Sequence, residues 1–167
     1  MSDSAPQQDN AELLRVLHEG ELDFAVIGGV AAVLHGSSRV TVDLDICTSF
    51  SETNLQRLMR ILAPHQPMHA TRPELSVLDE PPERLRKFRL FLIRTSLGRL
   101  DVLRRVEPIG EYDALDTVRM RLGALTVNVI SRRQLIEVKR SVGRPKDHEV
   151  ALELELAEEE ERRRQES

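Results

Sequence analysis

Two aspartates separated by one apolar residue carry the strongest chemical signal in this chain. Asp43 and Asp45 lie at the end of a segment in which polar and apolar residues alternate with a period of two. On a β-strand, residues i and i+2 point to the same face, so the two carboxylates are predicted to project together. Their apolar neighbours Val42, Leu44 and Ile46 are predicted to face a core. Adjacent like charges need a cation between them, so the pair predicts a site for Mg²⁺ or Mn²⁺.

A glycine pair upstream of the aspartates predicts a place for phosphate. The apolar run 23–28 is predicted to be a buried strand, and Gly28 and Gly29 open a short apolar helix after it. Amides at a helix N-terminus attract phosphate, and glycine lets the phosphate approach without a Cβ in the way. A phosphate site followed by paired carboxylates indicates chemistry on a nucleoside triphosphate (NTP).

The order of these motifs resembles the nucleotidyltransferase superfamily of DNA polymerase β. The signature of that family is an apolar residue, Gly, then Gly or Ser, a spacer, and Asp-x-Asp, and this chain has Ile27-Gly28-Gly29 and Asp43-Leu44-Asp45. The resemblance implies an α/β (α+β) fold, a minimal nucleotidyltransferase domain with a mixed sheet of about five strands packed against helices. It also implies a magnesium-dependent transferase that moves a nucleoside monophosphate from an NTP such as ATP to an acceptor. The alternative is a solvated edge strand that carries the two aspartates outward.

The family requires a third carboxylate from a later strand, and Asp101 is the candidate. The alternating segments 88–95 and 99–104 are predicted to form a hairpin, with Asp101 between apolar neighbours where an unpaired charge would be costly. The resemblance implies that Asp43, Asp45 and Asp101 are the catalytic residues and hold two metal ions. In the alternative interpretation, Asp101 pairs with Arg99 or Arg104 on an exposed strand.

Residues around the first aspartate extend the resemblance to small stand-alone nucleotidyltransferases. The run from Gly36 to Asp43 is similar to that group, some of whose members are toxins of abortive-infection and toxin–antitoxin systems. The resemblance implies that Ser37 and Arg39 bind the nucleotide together with Gly28 and Gly29.

A basic segment near the C-terminus adds a further nucleotide-binding candidate. A predicted helix over 132–142 contains Lys139 and is followed by Gly-Arg-Pro-Lys-Asp, as in the same group of proteins. The resemblance implies that Lys139 reaches the triphosphate, with Arg39 or Lys146 adding positive charge. Alternatively, Lys139 is a surface cation, and Lys146 and Asp147 belong only to the start of the next helix.

The chain is predicted to form one domain between two polar ends. Residues 1–10 are predicted to be disordered, 11–152 to form the nucleotidyltransferase domain, and 153–167 to be a charged helical tail. Further elements are predicted from periodicity and turn residues. They are helices over 11–19 and 51–63, a weak strand over 75–78, and a strand pair over 118–122 and 125–130.

Composition bounds the function. The chain has 167 residues, a net charge of −4 and no Trp, which disfavours a reader of single-stranded nucleic acid built on aromatic stacking. Its single cysteine, Cys47, excludes an internal disulfide. With no apolar run of about 20 residues and a polar start, we expect a cytoplasmic protein without a membrane partner.

These motifs do not identify the acceptor of the nucleotide or the partners of the protein. An RNA end, a protein or a small molecule could accept the nucleotide, and larger relatives carry a second domain for that purpose. A partner chain, either an antitoxin or an acceptor-binding subunit, could supply this function. A catalytically inactive nucleotide-binding or regulatory module of the same fold is the alternative to an enzyme, and a general ligand-binding α/β protein is a third hypothesis. Intact Asp43, Asp45 and Asp101 favour the enzyme, because clustered carboxylates are costly to keep.

Overall fold

The protein is built around one mixed β-sheet with helices packed on it. A computed structural model describes residues 7–167 of the chain. The helices and strands follow one another as α1 (Asn10–Glu19), β1 (Phe24–Ile27), α2 (Gly28–Leu34), β2 (Leu44–Thr48), α3 (Glu52–Leu62), β3 (Met68–His69), α4 (Pro82–Leu85), β4 (Leu90–Thr95), β5 (Gly98–Leu103), β6 (Arg105–Val106), β7 (Gly110–Glu111), β8 (Thr117–Leu122), β9 (Leu125–Ile130), α5 (Arg132–Val142) and α6 (Pro145–Glu166).

The order of strands in the sheet brings distant parts of the chain together. Seven strands pair in the order β3-β4-β5-β2-β1-β9-β8, and β6 and β7 form a separate two-stranded sheet. Strand β2 pairs with β1 in antiparallel and with β5 in parallel orientation. The sheet therefore joins the strand that carries Asp45 to the strand that carries Asp101.

Alternation along the central strands separates a core face from the face that carries the aspartates. Leu44 and Ile46 of β2 lie opposite Leu100 and Val102 of β5, and all four side chains are fully buried. Residues of α1 and α3 belong to the same hydrophobic cluster. Burial of these apolar side chains provides most of the driving force that holds the two strands in this register.

The predicted helices are confirmed, and their ends follow from capping residues. Helix α1 buries the predicted Leu13, Leu14 and Leu17. Ser131 accepts a hydrogen bond from the backbone N–H of Gln134 at the start of α5. Gly143 ends that helix with a φ of 74°, a left-handed conformation that glycine adopts without a steric penalty.

The sheet is mixed and packed against helices, as predicted, and it contains seven strands where about five were expected, with the two-residue strand β3 at one edge. One prediction about the strands needs correction. The predicted strand over 75–78 is wrong, since Val77–Asp79 form a turn of 3₁₀-helix instead. The Ser76 hydroxyl accepts a hydrogen bond from the Leu78 backbone N–H at 3.2 Å, and this local bond competes with strand pairing.

Both ends of the described chain have partners or regular structure. The predicted disorder over 1–10 lies partly outside the described residues, and α1 begins at Asn10. The Gln8 side chain donates to the Arg99 carbonyl at 2.8 Å and accepts from the Arg99 N–H at 2.7 Å. At the other end, residues 153–166 continue the helix that begins at Pro145. Within residues 7–167, no helix combines the length and apolar character needed to cross a bilayer.

Candidate active site

Asp45 and Asp101 are brought together by the parallel pairing of β2 with β5. The two residues are direct register partners, so their carboxyl groups project side by side from one face of the sheet. Burial, and then the charge of Asp101, raise the pKa of Asp45 to about 7. A hydrogen bond between the two side chains favours the protonated form of Asp45 further. A metal cation beside Asp45 would favour its charged form in place of this proton.

Asp43 lies beside this pair but outside the strand. Strand β2 begins only at Leu44, so Asp43 belongs to the end of the preceding loop, and its side chain is 42% exposed. The prediction that Val42 faces the core is wrong, because Val42 is 62% exposed. The physical reason is that residues 37–42 lie in a loop that does not continue the strand alternation.

Arg99 connects Asp43 to the pair. Its Nε atom lies 2.9 Å from Asp101 Oδ1 and 3.7 Å from Asp43 Oδ2. The alternative pairing of Asp101 with Arg99 is therefore present, whereas Arg104 contacts Glu111 at 3.2 Å. The hydrogen bond to Asp101 raises the pKa of Arg99, so this guanidinium stays charged and offsets the clustered carboxylates.

The donor set fits a divalent ion at Asp45 and Asp101. Among residues 7–167, no three His, Cys, Asp or Glu side chains already converge as a metal site. Arg99 contacts both Asp43 and Asp101. Paired carboxylate oxygens are nevertheless the ligands that Mg²⁺ and Mn²⁺ prefer. Asp45 and Asp101 would hold such an ion, with Asp43 as the neighbouring third carboxylate.

The glycine pair has packing partners that sequence reasoning missed. Gly28 has a φ of +65°, and a Cβ at this position would overlap Oδ2 of Asp45. A Cβ at Gly29 would overlap the Thr41 side chain. Glycine at both positions therefore allows the start of α2 to pack against the Asp45 carboxyl group and the loop before β2. Ile27, the residue before the helix, makes no side-chain hydrogen bond to its first turn.

A basic cleft of about 380 Å³ lies between the loop before β2 and the junction of α5 with α6, and Gly29 in its wall directly follows Gly28, which lies against Asp45. Its walls contain four cationic side chains, which are those of Arg39, Lys139, Arg144 and Lys146. The positive charge of Lys139, one of these four, opposes the rise in the pKa of Asp45. The other lining residues are Gly29, Ala32, Ser37, Val40, Thr41, Asp147 and Val150.

The structure therefore gathers most of the predicted nucleotide-binding residues. Gly29, Ser37, Arg39 and Lys139 line one cleft, while Gly28 lies against Asp45 at its margin. Two of these residues also have partners within the protein. Arg39 forms an ion pair with Glu149 of α6, and the Ser37 hydroxyl accepts from the Arg39 backbone N–H at 3.3 Å.

Two lining residues, Arg144 and Asp147, were missed as site candidates. Asp147 is only 5% exposed, and its carboxylate contacts Arg144 Nε at 2.9 Å and Lys139 Nζ at 3.6 Å. The sequence signal was the Gly-Arg-Pro-Lys-Asp run, but a proline and an acidic residue at a helix start are explained by helix geometry alone. The pairing depends on how α5 packs against α6, which periodicity does not reveal.

Comparisons with known proteins identify the fold. No family model and no curated protein matches this sequence. The chain is similar to the crystal structure of the lincosamide antibiotic adenylyltransferase LnuA bound to lincomycin, with a TM-score of 0.58 and 15% identity over 89% of this chain and 98% of that one. It is also similar to the solution structure of the antibiotic-resistance factor ANT(2'')-Ia, with a TM-score of 0.55 and 15% identity over 92% of this chain and 89% of that one. The chain has the nucleotidyltransferase fold, as its motifs predicted.

Proposed function

We propose that the protein is a divalent-metal-dependent nucleotidyltransferase that transfers a nucleoside monophosphate from an NTP to an acceptor. The observation that carries this proposal is the position of the Asp45–Asp101 pair beside a cleft with four cationic side chains. Carboxylates suit Mg²⁺ or Mn²⁺, and clustered Lys and Arg side chains suit a triphosphate. A nucleotidyl transfer needs both kinds of site next to each other.

The residues divide into two groups with different tasks. Asp43, Asp45 and Asp101 are proposed to bind metal and act in catalysis. The proposed nucleotide-binding residues lie at the cleft or at its margin, and they are Gly28, Gly29, Ser37, Arg39 and Lys139. Most of these residues lie between the end of β1 and the start of β2, whereas Asp101 lies on the paired strand β5 and Lys139 on α5.

The proposed reaction joins an acceptor oxygen to the α-phosphorus of the NTP. The bond from that phosphorus to the pyrophosphate oxygen breaks, and the acceptor hydroxyl loses its proton. A bound divalent ion would lower the pKa of the hydroxyl and neutralise charge on the leaving group. The cations of the cleft hold the triphosphate in position, and correct positioning accounts for much of the rate in reactions of this type.

Small molecules are the first acceptors to test. Two structures that share the fold are an adenylyltransferase bound to the antibiotic lincomycin and an antibiotic-resistance factor, and this chain aligns with 98% and 89% of their lengths. RNA and protein form the second and third groups, since the sequence also resembles nucleotidyltransferases of toxin–antitoxin systems. A partner chain, whether an antitoxin or an acceptor-binding subunit, would be required if purified protein transfers label only in a cell extract.

The test is label transfer from each α-³²P-labelled NTP to three acceptor pools. With Mg²⁺ or Mn²⁺ present, the parent protein should label one pool, whereas Asp45→Asn and Asp101→Asn should label none. Asp116→Asn is the matched control, because Asp116 is an exposed aspartate that pairs with Arg133 at 2.6 Å. Equal transfer by the parent and Asp45→Asn would contradict the proposal.

One observation favours a second candidate, a nucleotide-binding module without turnover. Arg99 already neutralises Asp43 and Asp101, so the carboxylates have a partner that does not depend on metal. Such a module would bind NTP in the same cleft but would release no pyrophosphate with any acceptor. The label-transfer experiment, repeated with measurement of NTP binding, separates the two functions.

A further inference from the structure

A buried carboxylate lies at the wall of a cleft that is otherwise basic. Asp147 is 5% exposed and lines the cleft together with Arg39, Lys139, Arg144 and Lys146. A buried charge is costly unless ion pairs and hydrogen bonds compensate it. Asp147 has both kinds of partner, because Lys139 of α5 and Arg144, the residue before α6, both reach its carboxylate.

The two ion pairs restrict two long cationic side chains. The Arg144 side chain is 75% exposed, and its Nε atom is held 2.9 Å from Asp147 Oδ2. Lys139, with 21% of its side chain exposed, is held 3.6 Å from Asp147 Oδ1. Long side chains lose substantial conformational entropy when they are ordered, so a fixed partner prepares them to bind a ligand at lower cost. Contact through Nε uses only one of the five N–H donors of the guanidinium.

We propose that Arg144 binds the triphosphate of the NTP and that Asp147 is the positioning residue that orients Arg144 and Lys139 toward it. This inference rests on the proposed function, because it assigns the triphosphate to the cleft of that same site. Arginine suits the task, since its planar fork donates two parallel hydrogen bonds to phosphate oxygens. Asp147 itself contacts the two cations and acts only through them.

The direction in which Asp147→Asn changes the affinity for a polyanion distinguishes a positioning role from simple electrostatics. Replacing Asp147 with Asn removes a negative charge from the cleft, which by Coulomb attraction alone would strengthen binding of a polyanion. Loss of positioning has the opposite effect, because Arg144 and Lys139 would then have to be ordered by the ligand. A purely structural role would lower the melting temperature and leave the affinity of the folded protein unchanged.

The experiment is titration calorimetry with ATP and with inorganic tripolyphosphate, which probes the triphosphate position without the nucleoside. We expect Asp147→Asn and Arg144→Gln each to weaken binding of both ligands by about tenfold, the scale of one charge-assisted hydrogen bond. Glu155→Gln is the matched control and should stay within about twofold. Glu155 pairs with Arg140 at 2.6 Å and links the same two helices, but it does not line the cleft.

The outcomes separate this inference from the proposed function. If the parent binds both ligands and Asp147→Asn binds them equally or more tightly, the positioning role is overturned while the proposed function stands. If Asp147→Asn does not fold, Arg144→Gln decides, because that side chain is largely exposed and its variant should melt like the parent. Arg144→Gln with unchanged affinity overturns the assignment of Arg144. A parent protein that binds neither ATP nor tripolyphosphate overturns both proposals.

Discussion

At the scale of single residues, Asp45 has a pKa that departs strongly from its ordinary value. Burial and the neighbouring Asp101 raise its pKa from 3.8 to about 7. The folded protein therefore binds this proton more tightly than the unfolded chain does. As the pH rises from about 4 to 7, the metal-free protein must ionise Asp45 at a cost, so its free energy of unfolding falls.

This shift predicts a pH-dependent stability of Asp45→Asn. Without metal, the variant should melt several degrees above the parent at pH 8, because it removes a charge that is unfavourable in the fold. The difference should shrink at pH 5, where Asp45 in the parent is already protonated. A change of 1 kcal/mol corresponds to about 2–4 °C in a chain of this size, which calorimetric melting curves resolve. Asp116→Asn should show no such pH dependence, and an Asp45→Asn variant that melts far below the parent at pH 8 would show that the carboxylate is structural.

Gly28 offers a second prediction at this scale. Gly28→Ala should destabilise the protein and weaken Mn²⁺ binding, because the new Cβ meets the Asp45 carboxylate and the backbone φ is +65°. Gly123→Ala is the matched control, since Gly123 has a φ of +63° but nothing within 4 Å of an added Cβ. Both variants should lose about 1 kcal/mol from backbone strain, and Gly28→Ala should lose more. Equal losses in stability and unchanged metal affinity would remove the proposed contact between Gly28 and Asp45.

At the scale of elements, the sequence predicted the helices and strands that depend on local periodicity and on capping residues. Periodicity and capping residues predicted α1, α3 and α5, and alternation predicted the hairpin of β4 and β5. The order of the glycine and aspartate motifs predicted that the aspartates lie close together, and the register of β2 with β5 places Asp45 beside Asp101. The exposed Val42 was not predictable in this way, because the strand begins two residues later than the alternation suggests.

Contacts between elements were the part that sequence reasoning missed. Arg99 was considered only as an alternative partner of Asp101, and its additional contact with Asp43 depends on where the loop before β2 lies. Asp147 was interpreted as a helix-start residue, since nothing local indicates that Lys139 approaches it from α5. Such pairings depend on tertiary packing, which the hydrophobic periodicity of a strand or a helix does not reveal.

The loop of residues 37–42 carries a prediction at this scale. Ser38 donates to Glu153 from its backbone N–H at 2.8 Å and from its hydroxyl at 3.1 Å, and this attaches the loop to α6. Glu153→Gln should therefore increase hydrogen exchange of the loop amides, with little change in melting temperature because the contact is exposed. Glu159→Gln, which breaks an ion pair within α6, is the control. Exchange that is unchanged in Glu153→Gln would show that other contacts hold the loop.

At the scale of the whole molecule, positive charge is concentrated in the cleft although the net charge of the chain is negative. The chain has a net charge of −4, yet four cationic side chains line the cleft next to the paired aspartates. A local basic site of this kind can concentrate a small polyanion, while the overall charge gives no general attraction to nucleic acid. Residues from α2, the loop before β2 and the α5–α6 junction line the cleft, while the paired aspartates lie on the interior strands β2 and β5 of the sheet.

The most direct test of the central claim is the release of pyrophosphate from an NTP in the presence of Mg²⁺ and the acceptor pools. The account predicts release by the parent protein, none by Asp45→Asn or Asp101→Asn, and the parent rate in Asp116→Asn. All four proteins should be folded at the assay temperature, as judged by circular dichroism. Pyrophosphate release by folded Asp45→Asn at the parent rate would contradict the claim that the paired aspartates carry out nucleotidyl transfer.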